Sequence, residues 1–533
     1  MPDAVVIGSG PNGLVAANLL VDEGWDDLVL EAQAVPGGAV KSAELIEPGY
    51  VNDLFSAFYP LSVASPIMTS LDLGSHGLRW CRAPLVLAHP APDGSCPVIS
   101  TDLDETASSL DDLAPGDGDA WRRLFEQWQR VGPALVDALC SPFPPIRAGL
   151  RVVSGQRPSE LLRFARFLML PVRRLGEEEF VSDGARRLLA GTALHADLSP
   201  ESSLGATFGW LLASLGQDLG WPVPEGGAGQ LTAALVSRLE KAGGAVRCDA
   251  EVTEVVVQGG RAVAVRTADG DEVDARCAVI ADVSAPALFL HLVAAEHLPG
   301  RLLDDLGRFQ WDAATTKVDW TLDGPIPWLA EPARRAGTVH VGDSVDALSV
   351  QAAQLAVGLV PDPPFVLVGQ QNLADPTRQP AGKATAWGYT HVPHRIRGDA
   401  GEDEITGSWD DREAAAIAGR MESEIERLAP GFRSLIRGRH IFTPLALEAA
   451  NANLVGGATN GGTAQLHQQL VFRPSPGLGR PETPVTGLFL GSSSAHPGGG
   501  VHGACGANAA KAAIWAERRR QGRQRWERWL YRD

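Results

Sequence analysis

The chain opens on Ala4-Val5-Val6-Ile7, a β-branched apolar run that leads at once into Gly8-Ser9-Gly10-Pro11-Asn12-Gly13 and an Ala/Leu-rich stretch of helical period through about Glu23. This order predicts a strand, a tight glycine turn and a helix. Leu28-Val29-Leu30 predicts the next strand and ends in Glu31. Much later, Leu231, Leu235 and Leu239 recur at helical spacing up to Gly243-Gly244, and strand patterns follow at 245–248, 252–257, 262–267 and 272–280. Further strand-like runs occupy 316–322, 365–370 and 384–390, and an amphipathic helix is expected from Asp410 to Leu428. Thr486 to Gly491 reads as a strand and its stop, and Gly498-Gly499-Gly500 precedes another Ala-rich helix. Strands alternating with helices define an α/β class.

The first turn has the spacing G-x-G-x-x-G between a strand and a helix, the arrangement a dinucleotide site requires. There Gly8 permits the turn, Gly10 lets the backbone approach a pyrophosphate, and Gly13 lets helix and strand pack closely, with Pro11 and Asn12 at the helix entrance. Phosphate charge meets the free N–H groups of that helix end. Glu31, followed by Ala32, stands about where an acid accepts hydrogen bonds from an adenosine ribose, which favours a free 2′-hydroxyl and disfavours NADP. The pair Gly37-Gly38, with Ala39 and Val40, extends the fingerprint as FAD proteins of the glutathione-reductase-like superfamily do, so FAD is the expected cofactor. In that superfamily the strand that includes Val252 lends backbone contacts to the adenine, and the last strand of the central block returns to the nucleotide sheet near Asp282. The expected architecture is a discontinuous Rossmann-type FAD-binding domain from residues 1–75, 223–287 and 481–517. A helical, membrane-facing subdomain at 76–222, a mixed-sheet substrate domain at 288–480 and a basic tail at 518–533 complete it.

A chain of 533 residues exceeds what one hydrophobic core usually serves, which agrees with several lobes. A net charge of −18 excludes nucleic acid as the natural partner class, because phosphate backbones are bound by neutralising them. The six cysteines form no C-x-x-C pair, so neither a zinc knuckle nor dithiol redox chemistry is expected, and their scatter suits a reducing compartment. No second strand, G-x-G-x-x-G and helix unit occurs, so no nicotinamide domain is expected, and reduced flavin would pass its electrons to dioxygen, a quinone or another soluble acceptor. The expected location is cytoplasmic or peripheral on the inner face of the cell membrane.

The run His496-Pro497-Gly498-Gly499-Gly500-Val501 with its Ala-rich helix, supported by Asp375-Pro376-Thr377 and Phe472-Arg473-Pro474, resembles the phytoene-desaturase-type flavoproteins. That group includes carotenoid ketolases and is related to the vertebrate pyridine-nucleotide-disulfide-oxidoreductase-domain proteins and to the amine oxidases. The resemblance runs from Val5 to about Ala513. It implies that the backbone at Gly500 and Val501 approaches the flavin ring, and that Ser492, after Gly491, faces the ribityl chain and pyrophosphate. Two departures stand out: desaturases carry Arg where this chain has Ala39, and their glycines ahead of the His-Pro are Ser492 and Ser494 here.

The activity implied is a flavin oxidoreductase of desaturase, dehydrogenase or isomerase type on a long unsaturated hydrophobic molecule, carotenoid, isoprenoid or polyene acyl. Alternatives are a carotenoid ketolase or oxygenase, a flavin amine oxidase, and a flavin-free lipid-binding escort protein. Hydride transfer to a flavin needs a nearby group for the paired proton. His502, His467, His195 and Tyr389 with His391 are the candidates, while His496 orients the glycine loop. No metal-spaced cluster is apparent. Residues 141–175 set Arg147, Arg151, Arg157, Arg163, Arg166, Arg173 and Arg174 among large apolar residues with Glu160 as their one acid, the pattern of a helix at a lipid surface. The tail repeats it with Arg518, Arg519, Arg520, Arg523, Arg525 and Arg528 beside Trp526, Trp529 and Leu530. A solvated helix or a subunit contact is the alternative for both.

Overall fold

In a computed structural model, residues 1–153 and 157–530 are described, except for the side chains of Val153 and residues 523–530. Ala4–Ile7 is fully buried and lies at the middle of a five-stranded sheet, with Asp27–Leu30 and Ala245–Arg247 on one side and Ala278–Ala281 and Leu488–Leu490 on the other. All four ladders are parallel, with Val5 opposite both Leu28 and Val279, Ile280 opposite Phe489, and Val29 opposite Val246. Sequence segments hundreds of residues apart thus meet in one sheet.

Alternation sorts the two faces of that sheet. Ala4, Val6, Val29, Ile280 and Phe489 face helices Pro11–Asp22, Gly229–Lys241 and Ala504–Leu530. Val5, Ile7, Leu30, Val279 and Leu490 face a three-stranded antiparallel sheet of Val252–Gln258, Arg261–Thr267 and Glu272–Asp274. The single strand expected from 272 to 280 is therefore two. Ala275 N–H still bonds Val263 in the antiparallel sheet, whereas Cys277 N–H bonds Asp3, so the chain changes sheets across Arg276.

The second large sheet has seven strands in the order Ile436–Phe442, Ala314–Leu322, Ala384–Val392, Val366–Gly369, Ala336–Val341, Leu85–Ala88 and Val98–Ile99. Its last two strands come from the 76–222 segment, which is otherwise mainly helical, with one further short strand at Trp80–Cys81. One face is sealed by helix Asp411–Leu428, whose Ala418, Met421 and Ile425 pack on Val318, Trp320, Val339 and Val366. Asp410 caps this helix by accepting a hydrogen bond from Glu413 N at 2.9 Å. The opposite face is half the wall of the cavity described below.

The 141–175 segment is not one helix. Ile146–Val153, Pro158–Met169 and Val172–Glu179 are short, and acids from elsewhere meet their arginines: Asp137 pairs with Arg151, Glu178 with Arg166 and Arg174, and Glu201 and Asp346 with Arg173. Ile146, Leu150, Leu162 and Met169 remain exposed, while Phe164 and Phe167 turn inward onto Trp210. Of the basic tail, the side chains from Arg523 onward lie outside the described residues. Among the described residues no helix is long and apolar enough to cross a membrane.

Candidate active site

The glycine turn is built around Asp282, the residue that follows strand Ala278–Ala281. Gly8 has φ +91°, and a Cβ on it would sit 2.9 Å from the Asp282 carbonyl oxygen. A Cβ on Gly10 would come within 2.6 Å of Asp282 Oδ2, and one on Gly13 within 2.2 Å of Gly8 O. Gly13 N–H donates to Asp282 Oδ2 at 2.8 Å. Burial pushes the Asp282 carboxyl well up, against that hydrogen bond. Glu31 accepts from Ser9 N at 2.9 Å and from the Ser9 hydroxyl at 2.5 Å, which ties the ribose-side acid to the turn. Gly37 N–H donates to Ser9 O, and Gly38, at φ +53°, lies so near Gly10 that a Cβ would be 2.9 Å from its Cα.

The carboxyl-terminal glycine loop closes over the same turn. Gly498 and Gly500 have φ of +113° and +107°, and a Cβ on Gly499 would meet Asn460 Oδ1 at 2.8 Å. Fully buried Arg473 fastens this loop, donating to Ser493 O at 2.7 Å and to Asn460 O at 2.9 Å. Asp375 likewise ties Gly226 N and Arg378, and Arg378 reaches Asp53 with both side chains fully buried. The short sequence marks of the resemblance are thus fasteners of loops around the site. His502 Nδ1 accepts from Ala504 N at 3.0 Å, capping the helix that starts there. Burial pushes this imidazole down to about 4, although the nearby Gly498 and Gly499 carbonyls oppose the fall. It is therefore neutral at pH 7 with its proton on Nε2, which is buried beside the Gly498 and Gly499 carbonyls and meets neither in an ordinary hydrogen-bond geometry.

One cavity of about 780 Å³ runs past all of these groups. At one end it touches Gly8, Gly10, Glu31, Val252 and Asp282; at the other it opens among Leu135, Leu139, Leu211, Phe208 and Trp221. The seven-stranded sheet supplies the wall between, through Thr338, Leu367, Trp387, Tyr389 and Lys317. Lys317 Nζ is buried, donates to Asp53 O at 2.9 Å and pairs with Asp319, while burial raises the Asp319 carboxyl to about 6. His195 also lines the cavity, and its Nε2 lies 2.8 Å from His340 Nε2. A bond between two ring nitrogens needs one N–H donor and one bare acceptor, so the two imidazoles cannot both be protonated. Burial keeps both neutral, pushing His195 down to about 3 and His340 well down.

Of the residues singled out from the sequence, Gly8, Gly10, Pro11, Asn12, Glu31, Ala32, Gly38, Ala39, Val40, Val252, Asp282, Gly500, Val501, His195, Tyr389 and His502 all line this cavity. Others do not. Gly13, Gly37 and Gly491 serve packing behind it, Gly491 against Ile280 and Ala509. Ser493 lines the cavity in place of Ser492, which is turned into the loop to accept from Ser494 N. His467 is bonded to Gln310 away from the cavity, and His391 is buried behind it with neither ring nitrogen hydrogen-bonded. Missed from the sequence were Lys41, Lys317, Thr338 and Trp387. Lys41 is a half-buried cation beside Glu31 whose ammonium burial pushes down, and it stands two residues beyond the Ala39 that replaces the desaturase arginine. An odd-numbered polar spacing in strands 314–322 and 384–392 was the available signal.

These residues fit FAD. Side chains are excluded at Gly8, Gly10 and Gly500, the buried Asn12 Oδ1 and His502 Nε2 have no partner within the protein, and an acid stands at the ribose position. Fold and site together define an FAD-dependent oxidoreductase of mixed α/β architecture. Residues 12–330 match the model of the flavin containing amine oxidoreductase family, and the chain belongs to that family. It is 30% identical to the pyridine nucleotide-disulfide oxidoreductase domain-containing protein 2 of Rattus norvegicus, over 95% of this chain and 92% of that one. It is 26% identical to an all-trans-zeta-carotene desaturase of Myxococcus xanthus, over 93% of this chain and 90% of that protein. Among solved structures, an oxidoreductase from Methanosarcina mazei superposes with a TM-score of 0.60 at 15% identity, covering 96% of this chain and 99% of its own.

Proposed function

We propose that the protein acts on a long unsaturated hydrophobic molecule, of carotenoid, isoprenoid or polyene acyl type, as a desaturase, dehydrogenase or isomerase. The observation that carries this reading is the continuity of one cavity from the glycine turn to a chamber walled by Leu135, Leu139, Leu211, Phe208 and Trp221. A chamber lined by such apolar side chains suits a hydrocarbon chain, since burial of each CH₂ contributes about 0.8 kcal/mol. The carotene desaturase among the relatives agrees with it.

In this reading FAD lies in a glutathione-reductase-like domain formed by residues 1–75, 223–287 and 481–517, with 76–222 and 288–480 enclosing the substrate. Gly8, Gly10, Asn12 and Asp282 hold the pyrophosphate end, Glu31 the ribose, Val252 the adenine, and Gly38 to Val40 with Gly500 and Val501 the ring end. FAD supplies the acceptor for a hydride leaving carbon. His502 donates its Nε2 proton as a hydrogen bond toward the ring end and keeps it there, because burial disfavours both its protonated and its unpaired states. His195, bonded through Nε2 to His340 and held neutral by burial, lines the chamber as a hydrogen-bonding group, and the proton that accompanies the hydride passes to solvent. Dioxygen or a quinone receives the electrons. The exposed apolar residues Ile146, Leu150, Leu162 and Met169, with Arg147, Arg157 and Arg163 among them, form the surface through which a peripheral membrane contact delivers substrate. Identification by mass spectrometry of the molecule that co-purifies with the protein tests the reading: a polyene or isoprenoid is expected, and a small water-soluble amine instead would overturn it.

A further inference from the structure

The wall of the substrate chamber holds polar groups that a hydrocarbon cannot satisfy. On the cavity face of the seven-stranded sheet, Thr338 pairs in register with Gly369 and Gly369 with Trp387. Gly369 has no side chain, and the Trp387 indole fills that space, its Nε1 only 2.6 Å from where a Cβ would stand. Thr338, Gly369 and Trp387 thus form one row across three neighbouring strands, with the indole lying over the glycine between them. Thr338 and Trp387 line the cavity, both are more than nine-tenths buried, and neither Thr338 Oγ1 nor Trp387 Nε1 has a hydrogen-bond partner within the protein. Tyr389, one row further along the same face, stacks on Trp387 with ring centroids 6.0 Å apart and planes at 14°. Buried donors without partners are costly, and such pairs persist in enclosed sites where a ligand completes them.

The charge state of that ligand follows from its neighbours. Lys317, the cation on this face, is already shared between Asp319 and the Asp53 carbonyl, and Asp319 is its counter-ion. The His195 and His340 rings are bonded to each other and neutral. Among the described residues of this cavity face, Lys317 and Asp319 neutralise one another and leave no spare charge beside Thr338 and Trp387.

We infer that Thr338 and Trp387 form a recognition site for an uncharged oxygen, a hydroxyl or carbonyl, on the long apolar substrate, so that the substrate is an oxygenated lipid and not a pure hydrocarbon. Trp387 Nε1–H donates to that oxygen, and the Thr338 hydroxyl donates to it or accepts from it according to whether it is a carbonyl or an alcohol. This specificity rests on the hydrophobic-chain reading above and adds a polar end to the chain.

Equilibrium dialysis of the FAD-loaded full chain against geranylgeraniol, its deoxygenated hydrocarbon and geranylgeranoic acid tests it. The alcohol should bind about tenfold more tightly than the hydrocarbon, as one well-placed hydrogen bond in an enclosed site warrants. The carboxylate should bind more weakly than the alcohol. Thr338→Val and Trp387→Phe should each erase most of the preference while leaving hydrocarbon affinity within about threefold. Equal affinity for alcohol and hydrocarbon, a preference that survives both substitutions, or tightest binding of the carboxylate would overturn the inference while the hydrophobic-chain reading stands. Binding of none of the three would overturn both.

Discussion

Gly10 illustrates how much a single backbone atom decides. A methyl group there would stand 2.6 Å from Asp282 Oδ2, on the surface where the pyrophosphate is expected to lie. Gly10→Ala should leave the fold assembled but reduce FAD retention at least tenfold, read as flavin absorbance per protein near ~450 nm. Retention equal to that of the parent would contradict the placement of the cofactor. His195 makes a second residue-scale case. Its imidazole titrates near 3 in the folded protein, against about 6.5 in an unfolded chain. The unfolded state therefore takes up a proton that the native state refuses as the pH falls below about 6.5, and the stability tied to neutral His195 is complete above that value and drains away toward 3. Denaturant unfolding at about pH 7.5 and about pH 5 should show His195→Gln losing less stability on acidification than the parent, by up to about 2 kcal/mol. Equal losses would contradict it. Glycines and Glu31 could be read from sequence because their constraint is local and fixed in spacing. Lys317 and Trp387 show in sequence only as members of an alternation and Thr338 not at all, since they gain meaning only when strands from distant segments align in register.

At the scale of elements, the carboxyl-terminal helix Ala504–Leu530 and the first helix Pro11–Asp22 cross at Gly506, where a Cβ would fall 1.8 Å from Asn12 O. Gly506→Ala should destabilise the protein by about 3 kcal/mol or more, because backbone on both sides has to shift. The expected sign is a lower thermal midpoint together with faster flavin loss, and an unchanged midpoint would refute so close a crossing. Strands 4–7, 252–258, 314–322 and 384–392 and helix 411–428 were legible within two residues of their ends, from β-branched apolar runs bounded by turns in the first two, alternation in 314–322 and 384–392, and a period of three to four in the helix. The 272–280 run was not, because nothing in its alternation marks the change of sheets at Arg276. Nor was the 141–175 segment, whose arginines looked unpaired when their partners Asp137, Glu178, Glu201 and Asp346 lie outside it.

For the molecule as a whole, the order of motifs carried more than any one of them. A strand and glycine turn at the start, a helix and hairpin near the middle and a glycine loop at the end are individually common, yet they converge on one parallel sheet of five strands. The substrate chamber could be anticipated only as a region, because its walls combine helices from 117–219 with a sheet that draws strands from residues 85 to 442. On the proposed reading, its apolar lining and its junction with the glycine turn favour a lipid substrate over a small amine within the same family. The most direct measurement is anaerobic mixing of the FAD-loaded protein with a long-chain polyene or isoprenoid presented in vesicles, followed at ~450 nm, where oxidised flavin absorbs. Bleaching of that band is expected together with a product two hydrogens lighter, whereas an isomerisation leaves both the band and the mass unchanged. A flavin that stays oxidised with every such lipid and bleaches on addition of a primary amine would contradict the lipid reading.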